Sequence, residues 1–222
     1  MHLFHLPFDV KGAILDLDGT LIDSMPYWEN LGENYLIERG KTPAPDIRFH
    51  FKRLTLDQSA EYMKREYGLE ETTAEIAKGV MDGIVHQYHH TVPLCPGVRE
   101  FLEALQAGGV AMCVATASER ELMGPALERL GVMQYFKAVL SCAEVGASKT
   151  DPLIFNLALE ALGTPREQTV VLDDSLHAIE TAKAAGFPTV GVLEPSSAED
   201  HDEIKKLANA TVTTFADVAQ WL

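Results

Sequence analysis

A doubly wound α/β core with a mainly parallel sheet, interrupted by an all-helical segment, is the fold this sequence predicts. Short apolar runs alternate with helical patterns through most of the chain. Such runs suit strands buried on both faces of a parallel sheet. One long stretch, from about residue 25 to residue 91, carries helical patterns and no convincing strand run. Hydrophobic residues make up 46% of the 222 and charged residues 23%. That is a globular composition, and it excludes disorder as the main state.

The first apolar run is Ala13-Ile14-Leu15. The helical stretch follows, with amphipathic patterns over 27–39, 56–67 and 73–90 and a turn marked by Pro43 and Pro45. Residues 98–107 place Val98, Phe101, Leu102 and Leu105 on one helical face. Pro96-Gly97 opens that helix and Gly108-Gly109 closes it. The second run is Val110 to Ala115, followed by a helix over 119–130. The third run, Ala138-Val139-Leu140, precedes a helix over 152–162. The fourth, Val170-Val171-Leu172, precedes a helix over 176–185, and Thr189 to Val192 is the fifth. Gly131, Gly163 and Gly186 follow three of these helices, where a left-handed C-terminal residue is expected. The expected domains are a core of 1–23 with 93–222 and a helical cap of 24–92. Hinges are expected near 22–25 and 91–96. A second domain over a sheet's carboxyl end usually covers the active site.

With 18 basic against 33 acidic residues, the net charge is −15. Nucleic acid and anionic membrane surfaces need a basic face, so both are excluded as partners. No apolar run approaches the ~18 residues that span a bilayer. The first residues lack a basic region followed by a long apolar stretch, so no signal peptide is read. The default compartment is the cytoplasm. Three separated cysteines with no CxxC pair argue against a disulfide framework and a zinc site. Cys113 and Cys142 read as small core residues. No sizeable apolar stripe demands a partner, which predicts a monomer.

Three strands run into polar residues: Asp16-Leu17-Asp18-Gly19-Thr20, Thr116-Ala117-Ser118 and Asp173-Asp174-Ser175. Ligands of open α/β sheets bind outside the carboxyl ends of the strands. Helix N-termini face the same crevice and favour an anion. Asp16 and Asp18 are two apart, so on a strand both project to one side. Crowded carboxylates repel unless a cation sits among them. An oxygen-only donor set points to a hard cation, Mg²⁺ first. A carboxylate beside Mg²⁺ can attack phosphorus, and a second can protonate the leaving group and then activate water. Lys149 offers a point positive charge for phosphate oxygens.

Blander readings exist for each residue. A calcium-binding EF-hand would need Gly at its sixth position and Glu at its twelfth. Counted from Asp16, those positions hold Leu21 and Tyr27. Thr116 alone reads as a helix cap, Asp173-Asp174 as a capping pair and Lys149 as a surface lysine. Their joint occurrence at strand ends, in this order, carries the site reading.

At these residues the chain resembles the haloacid dehalogenase-like hydrolase superfamily, and within it the β-phosphoglucomutase-like phosphatases. The resemblance spans essentially the whole chain. It implies Asp16 as nucleophile and Asp18 as general acid and base. It implies a Mg²⁺ held by Asp16, the Asp18 backbone carbonyl and Asp174, with Asp173 nearby or acting through water. Many relatives carry Glu at the position of Asp173. Thr116, Ala117 and Lys149 would hold the transferring phosphoryl group of a small phosphorylated metabolite.

Three rivals are weighed. Mutases of the family commonly carry a cap histidine where this chain has Trp28, and Thr20 ends the motif as in phosphatases. A dehalogenase needs neither Asp18 nor the Asp173-Asp174 pair. A phospho-aspartate switch or binding protein of the response-regulator type has adjacent acids after its first strand, no helical insertion and a shorter chain. Substrate choice is expected in the cap, where Trp28, Lys52 and Arg53 are candidates. Trp28 and Tyr27 equally suit helix packing, and Lys52 and Arg53 a solvated basic loop. His86 and His90 have the i,i+4 spacing of a zinc pair but no further ligand, so a solvated helix end is preferred.

Overall fold

A computed structural model describes residues 6–216. The outer limits of the expected core, 1 and 222, and the first residues read for a leader lie outside the described residues. In chain order the elements are β1 (Gly12–Leu15), α1 (Met25–Glu38), α2 (Ile47–Phe51), α3 (Leu56–Tyr67), α4 (Thr73–His90), α5 (Val98–Ala107), β2 (Ala111–Thr116), α6 (Arg120–Arg129), β3 (Phe136–Ser141), α7 (Cys142–Val145), α8 (Leu153–Leu162), β4 (Thr169–Asp173), α9 (Leu176–Ala184), β5 (Thr189–Val192), α10 (His201–Leu207) and β6 (Ala210–Val212). The strands form one sheet of order β3-β2-β1-β4-β5-β6. Every strand pair is parallel.

The five apolar runs become β1 to β5; β1, β2, β4 and β5 are buried along nearly their whole length, while β3, at the sheet edge, is mostly half-buried. β6, α2 and α7 are not anticipated, being three, five and four residues long. At that length neither the strand nor the helical period accumulates. β3 also begins at Phe136, earlier than its apolar centre. Cys142 opens α7 and is only half-buried, unlike fully buried Cys113. It packs against the core from its margin rather than within it, because β3 ends one residue earlier.

The chain divides into two compact units. One joins the chain up to Asp23 with the chain from Pro93 onward, and the other is Ser24–Val92. In the first, Ile14, Cys113, Ala115 and Val171 of neighbouring strands meet Ile154, Phe155, Ala158 and Leu162 of α8 and Ala178 and Ala182 of α9. Gly163 ends α8 at φ 68°, a left-handed backbone that other residues adopt only with strain. Phe155 is wholly buried. Phe155→Ala removes a ring from this layer and is expected to lower stability by about 3–5 kcal/mol, read as a lower urea midpoint.

The second unit has its own core: Tyr35, Leu36, Ile47, Ala60, Met63, Leu69, Ile76, Ala77 and Val80. Thr55 with Gln58 and Thr72 with Glu75 form capping boxes at the starts of α3 and α4. The two linkers that join the units pair within the first unit. Asp23 N donates to Pro93 O (3.0 Å) and Cys95 N to Leu21 O (3.0 Å). Among the described residues no helix is long and apolar enough to cross a membrane.

Candidate active site

β1 lies between β2 and β4, at the point where the strand order reverses. Ligands of open α/β sheets bind outside the carboxyl ends of the strands at such a point. Leu15 pairs with Leu172, and Asp16 N continues the ladder by donating to Leu172 O at 2.9 Å. Carried one residue further, this register sets Asp16 beside Asp173. On the other side, Thr116 pairs with Ser141 at the ends of β2 and β3.

After Asp16 the chain turns back at once: Leu21 N and Ile22 N both donate to Leu17 O, at 2.8 and 2.9 Å. Gly19 serves this turn at φ 74°. A Cβ there would stand 2.8 Å from Asp174 Oδ2 and 3.2 Å from Glu194 Cγ. The close approach of loop and carboxylate therefore requires a residue without a side chain.

Carboxylate oxygens of Asp16, Asp173 and Asp174 lie within 4.8 Å of one another. Lys149, 5% exposed, donates its ammonium to Asp16 Oδ1 and to Asp173 Oδ2, the latter at 2.7 Å. It is not the surface lysine of the bland reading. Asp173 Oδ1 accepts from Ser175 N (3.0 Å) and Ser175 Oγ (2.6 Å). One oxygen of Asp173 thus caps its own turn while the other faces the lysine.

Burial raises the Asp16 pKa well above the usual carboxylate range, and Asp173, Asp174 and Asp18 add to it against the pull of Lys149. Burial and the neighbouring Asp173 push Asp174 up to about 7. Burial acts to lower the Lys149 pKa, but Asp16 and Asp173 overcome it and hold the ammonium above its ordinary value. Three carboxylates thus face one fixed cation. The surplus negative charge and the all-oxygen donor set fit a hard divalent cation. Burial also pushes the Cys95 and Cys113 thiols up to about 12, so neither is a thiolate near neutral pH.

The raised Asp174 value sets a pH dependence. The folded chain keeps a proton that the unfolded chain has lost, so metal-free stability falls as pH rises from about 4 to about 7. The slope reaches at most ~1.4 kcal/mol per pH unit from this one group. The metal-free protein is expected to melt higher near pH 5 than near pH 7. Added Mg²⁺ is expected to raise Tm more at the higher pH. A thermal scan at both values, with Mg²⁺ or chelator, checks both.

Thr116 is wholly buried, and its hydroxyl oxygen accepts from Ser118 N at 3.0 Å. It does not cap α6, whose N-terminal flanking residue is Glu119. Ala117 is exposed between them. Asp18 Oδ2 accepts from Ser118 Oγ at 2.6 Å. Ser141 is wholly buried and donates to Ser118 O at 2.9 Å. Sequence reasoning did not assign roles to Ser118, Ser141 or Glu194. The available signal was a polar residue at, or two residues past, the carboxyl end of a strand.

Trp28, Lys52 and Arg53 belong to the helical unit. Trp28 Nε1 donates to the Tyr88 hydroxyl at 2.8 Å, which ties α1 to α4. Lys52 pairs with Glu29 at 3.2 Å, and Arg53 is exposed just beyond α2. The His86 and His90 rings lie with centroids 4.5 Å apart and planes tilted by 46°, at the exposed end of α4. Among the described residues the one group of three or more candidate metal ligands is the aspartate cluster, and it includes no histidine.

Comparison with known proteins adds four findings. The family model described as haloacid dehalogenase-like hydrolase matches residues 13–192. The chain is 27% identical over 224 residues to the phosphoglycolate phosphatase of Pseudomonas fluorescens (strain Pf0-1), covering 93% of this chain and 81% of that one. It is 29% identical over 213 residues to the phosphoglycolate phosphatase of Escherichia coli O157:H7, covering 83% and 81%. The crystal structure of a HAD family hydrolase from Deinococcus radiodurans R1, with bound phosphate and sodium, shares the fold. Its TM-score is 0.73 at 23% identity, over 94% of this chain and 93% of that one.

Proposed function

This chain belongs to the haloacid dehalogenase-like hydrolase family, and on that premise we propose that it is a Mg²⁺-dependent phosphatase of a small phosphorylated metabolite. One observation carries the reading. Asp16, the first residue beyond β1, is buried against an ammonium and two further carboxylates at the switch point of the sheet. A buried carboxylate so placed is a nucleophile for phosphorus with its charge compensation built around it.

An Asp16 oxygen forms a bond to phosphorus as the bond to the leaving oxygen breaks. Asp18 gives its proton to that leaving oxygen. Asp18, now a carboxylate, takes a proton from water as the water oxygen bonds to phosphorus. The phosphorus–Asp16 bond then breaks, and phosphate is released. Lys149 favours the ionised form of Asp16 against the pull of burial and presents positive charge to the phosphoryl oxygens. Thr116 and the Ala117 backbone N–H would bind those oxygens from the β2 side. Asp16, the Asp18 carbonyl and Asp174 would hold Mg²⁺, with Asp173 held to Lys149. When bound, Mg²⁺ offsets the carboxylate charge and draws electron density from the phosphoryl group. The helical unit would select the substrate, with exposed Arg53 the candidate for a second anionic group.

Hydrolysis is favoured over a mutase reaction by Trp28, whose indole N–H is engaged by Tyr88. The test is phosphate release from a panel of phosphate monoesters with Mg²⁺ or chelator. Phosphoglycolate, the compound in the relatives' names, heads the panel. Metal-dependent release from at least one ester is expected. No release from any of them would overturn the reading.

A further inference from the structure

The proposed mechanism asks Asp18 to deliver a proton in one step and recover it in the next. A carboxyl has two oxygens, and rotation about its Cβ–Cγ bond exchanges them. Efficient transfer therefore needs something that fixes which oxygen carries the proton.

Ser118 is built to do this. Its Oγ donates to Asp18 Oδ2 at 2.6 Å, across 100 residues of chain. The serine is itself held at both ends of its peptide unit. Its N–H donates to Thr116 Oγ1 (3.0 Å), and its carbonyl accepts from Ser141 Oγ (2.9 Å). Thr116 and Ser141 are wholly buried and stand opposite each other in the β2–β3 register. The start of α6 is tied down as well. Arg120 Nη2 donates to Glu144 Oε2 (2.7 Å) and to Val139 O (3.0 Å). The Ser118 hydroxyl thus reaches Asp18 from two strand ends and an anchored helix.

We propose that Ser118 is a positioning residue for Asp18, committing Oδ2 as an acceptor so that the exchanged proton rides on Oδ1. This rests on the phosphatase reading above. In the first step the Oδ1–H bond breaks as the leaving oxygen gains its proton. In the second a water O–H bond breaks and Oδ1–H re-forms.

The test compares two substrates in single turnovers. An alkyl phosphate of the panel that the wild type hydrolyses needs its leaving oxygen protonated. p-Nitrophenyl phosphate has a stable leaving anion and needs little protonation. Ser118→Ala is expected to slow phosphoryl transfer from the alkyl ester by about 10- to 100-fold. Transfer from the aryl ester stays within about twofold, and KM is unchanged, because Asp16 and the phosphate contacts are intact. Ser118→Thr keeps the hydroxyl and restores most of the alkyl rate. Should Ser118→Ala not fold, Ser141→Ala loosens the same serine through its carbonyl. It is expected to give a smaller loss with the same alkyl bias. Equal losses on both esters, a raised KM with unchanged transfer, or no loss at all would overturn the role of Ser118. A wild type that releases no phosphate from either ester would overturn the phosphatase reading instead.

Discussion

Asp16→Asn is expected to remove turnover by at least about 10⁴-fold while the chain still folds. The amide has the shape of the carboxyl but cannot attack phosphorus as an anion. The fold should tolerate the change, because burial already disfavours the charged form of Asp16. Lys149 retains Asp173 as a partner at 2.7 Å. Removing one of three crowded carboxylates also relieves repulsion with Asp173 and Asp174. Metal-free stability in urea should therefore be unchanged or slightly higher than wild type. Phosphate release should fall to background for every ester. A variant that is both folded and active would show that another group attacks phosphorus.

Lys149→Met acts in the opposite direction on stability. Methionine keeps much of the apolar stem and removes the ammonium. Asp16 and Asp173 then lose the cation they share, in a site where Lys149 is 5% exposed and Asp173 is 1% exposed. Leaving buried charge uncompensated costs about 3–5 kcal/mol. The metal-free variant is therefore expected to unfold at clearly lower urea than wild type. Mg²⁺ should recover part of the loss, since a cation at the same carboxylates replaces some of the missing charge. Activity with Mg²⁺ should fall by about 10²–10³-fold, the usual effect of removing one donor that faces developing charge. Equal urea midpoints for variant and wild type without metal would contradict the structural role of Lys149.

These two variants separate chemistry from charge balance. Asp16→Asn loses the reaction and keeps the fold. Lys149→Met loses both, and metal restores only one of them in part.

The strands that build the site were legible because each is a continuous apolar run ending in a polar residue. Ala13-Ile14-Leu15 before Asp16 and Val170-Val171-Leu172 before Asp173 are the clearest cases. The sixth strand was not legible. Ala210 to Val212 is three residues, and it pairs with β5 through backbone bonds that carry no pattern. α2 was hidden in the same way, between Pro45 and the capping box at Thr55. Within the site, Asp16, Lys149, Asp173 and Asp174 stood out by residue type and order, and the structure brings them together. Ser118 and Ser141 did not stand out, because serine near the end of a strand is common. Their meaning depends on a register of Thr116 against Ser141 and a contact to Asp18 that spans 100 residues. Glu194 was missed because nothing in its neighbourhood marks the turn after β5 as lying beside Gly19. Trp28 was legible only as an aromatic on a helix, and its bond to Tyr88 needs α1 and α4 to be packed together.

The central claim is that Asp16 becomes covalently phosphorylated. The direct measurement is rapid acid quenching of the enzyme during turnover of its best ester with Mg²⁺, followed by peptide mass spectrometry. The account predicts a phosphoryl group on the peptide containing Asp16, formed and lost at rates consistent with kcat and absent from Asp16→Asn. Turnover with no phosphorylated peptide, or with the group on a different residue, would contradict it.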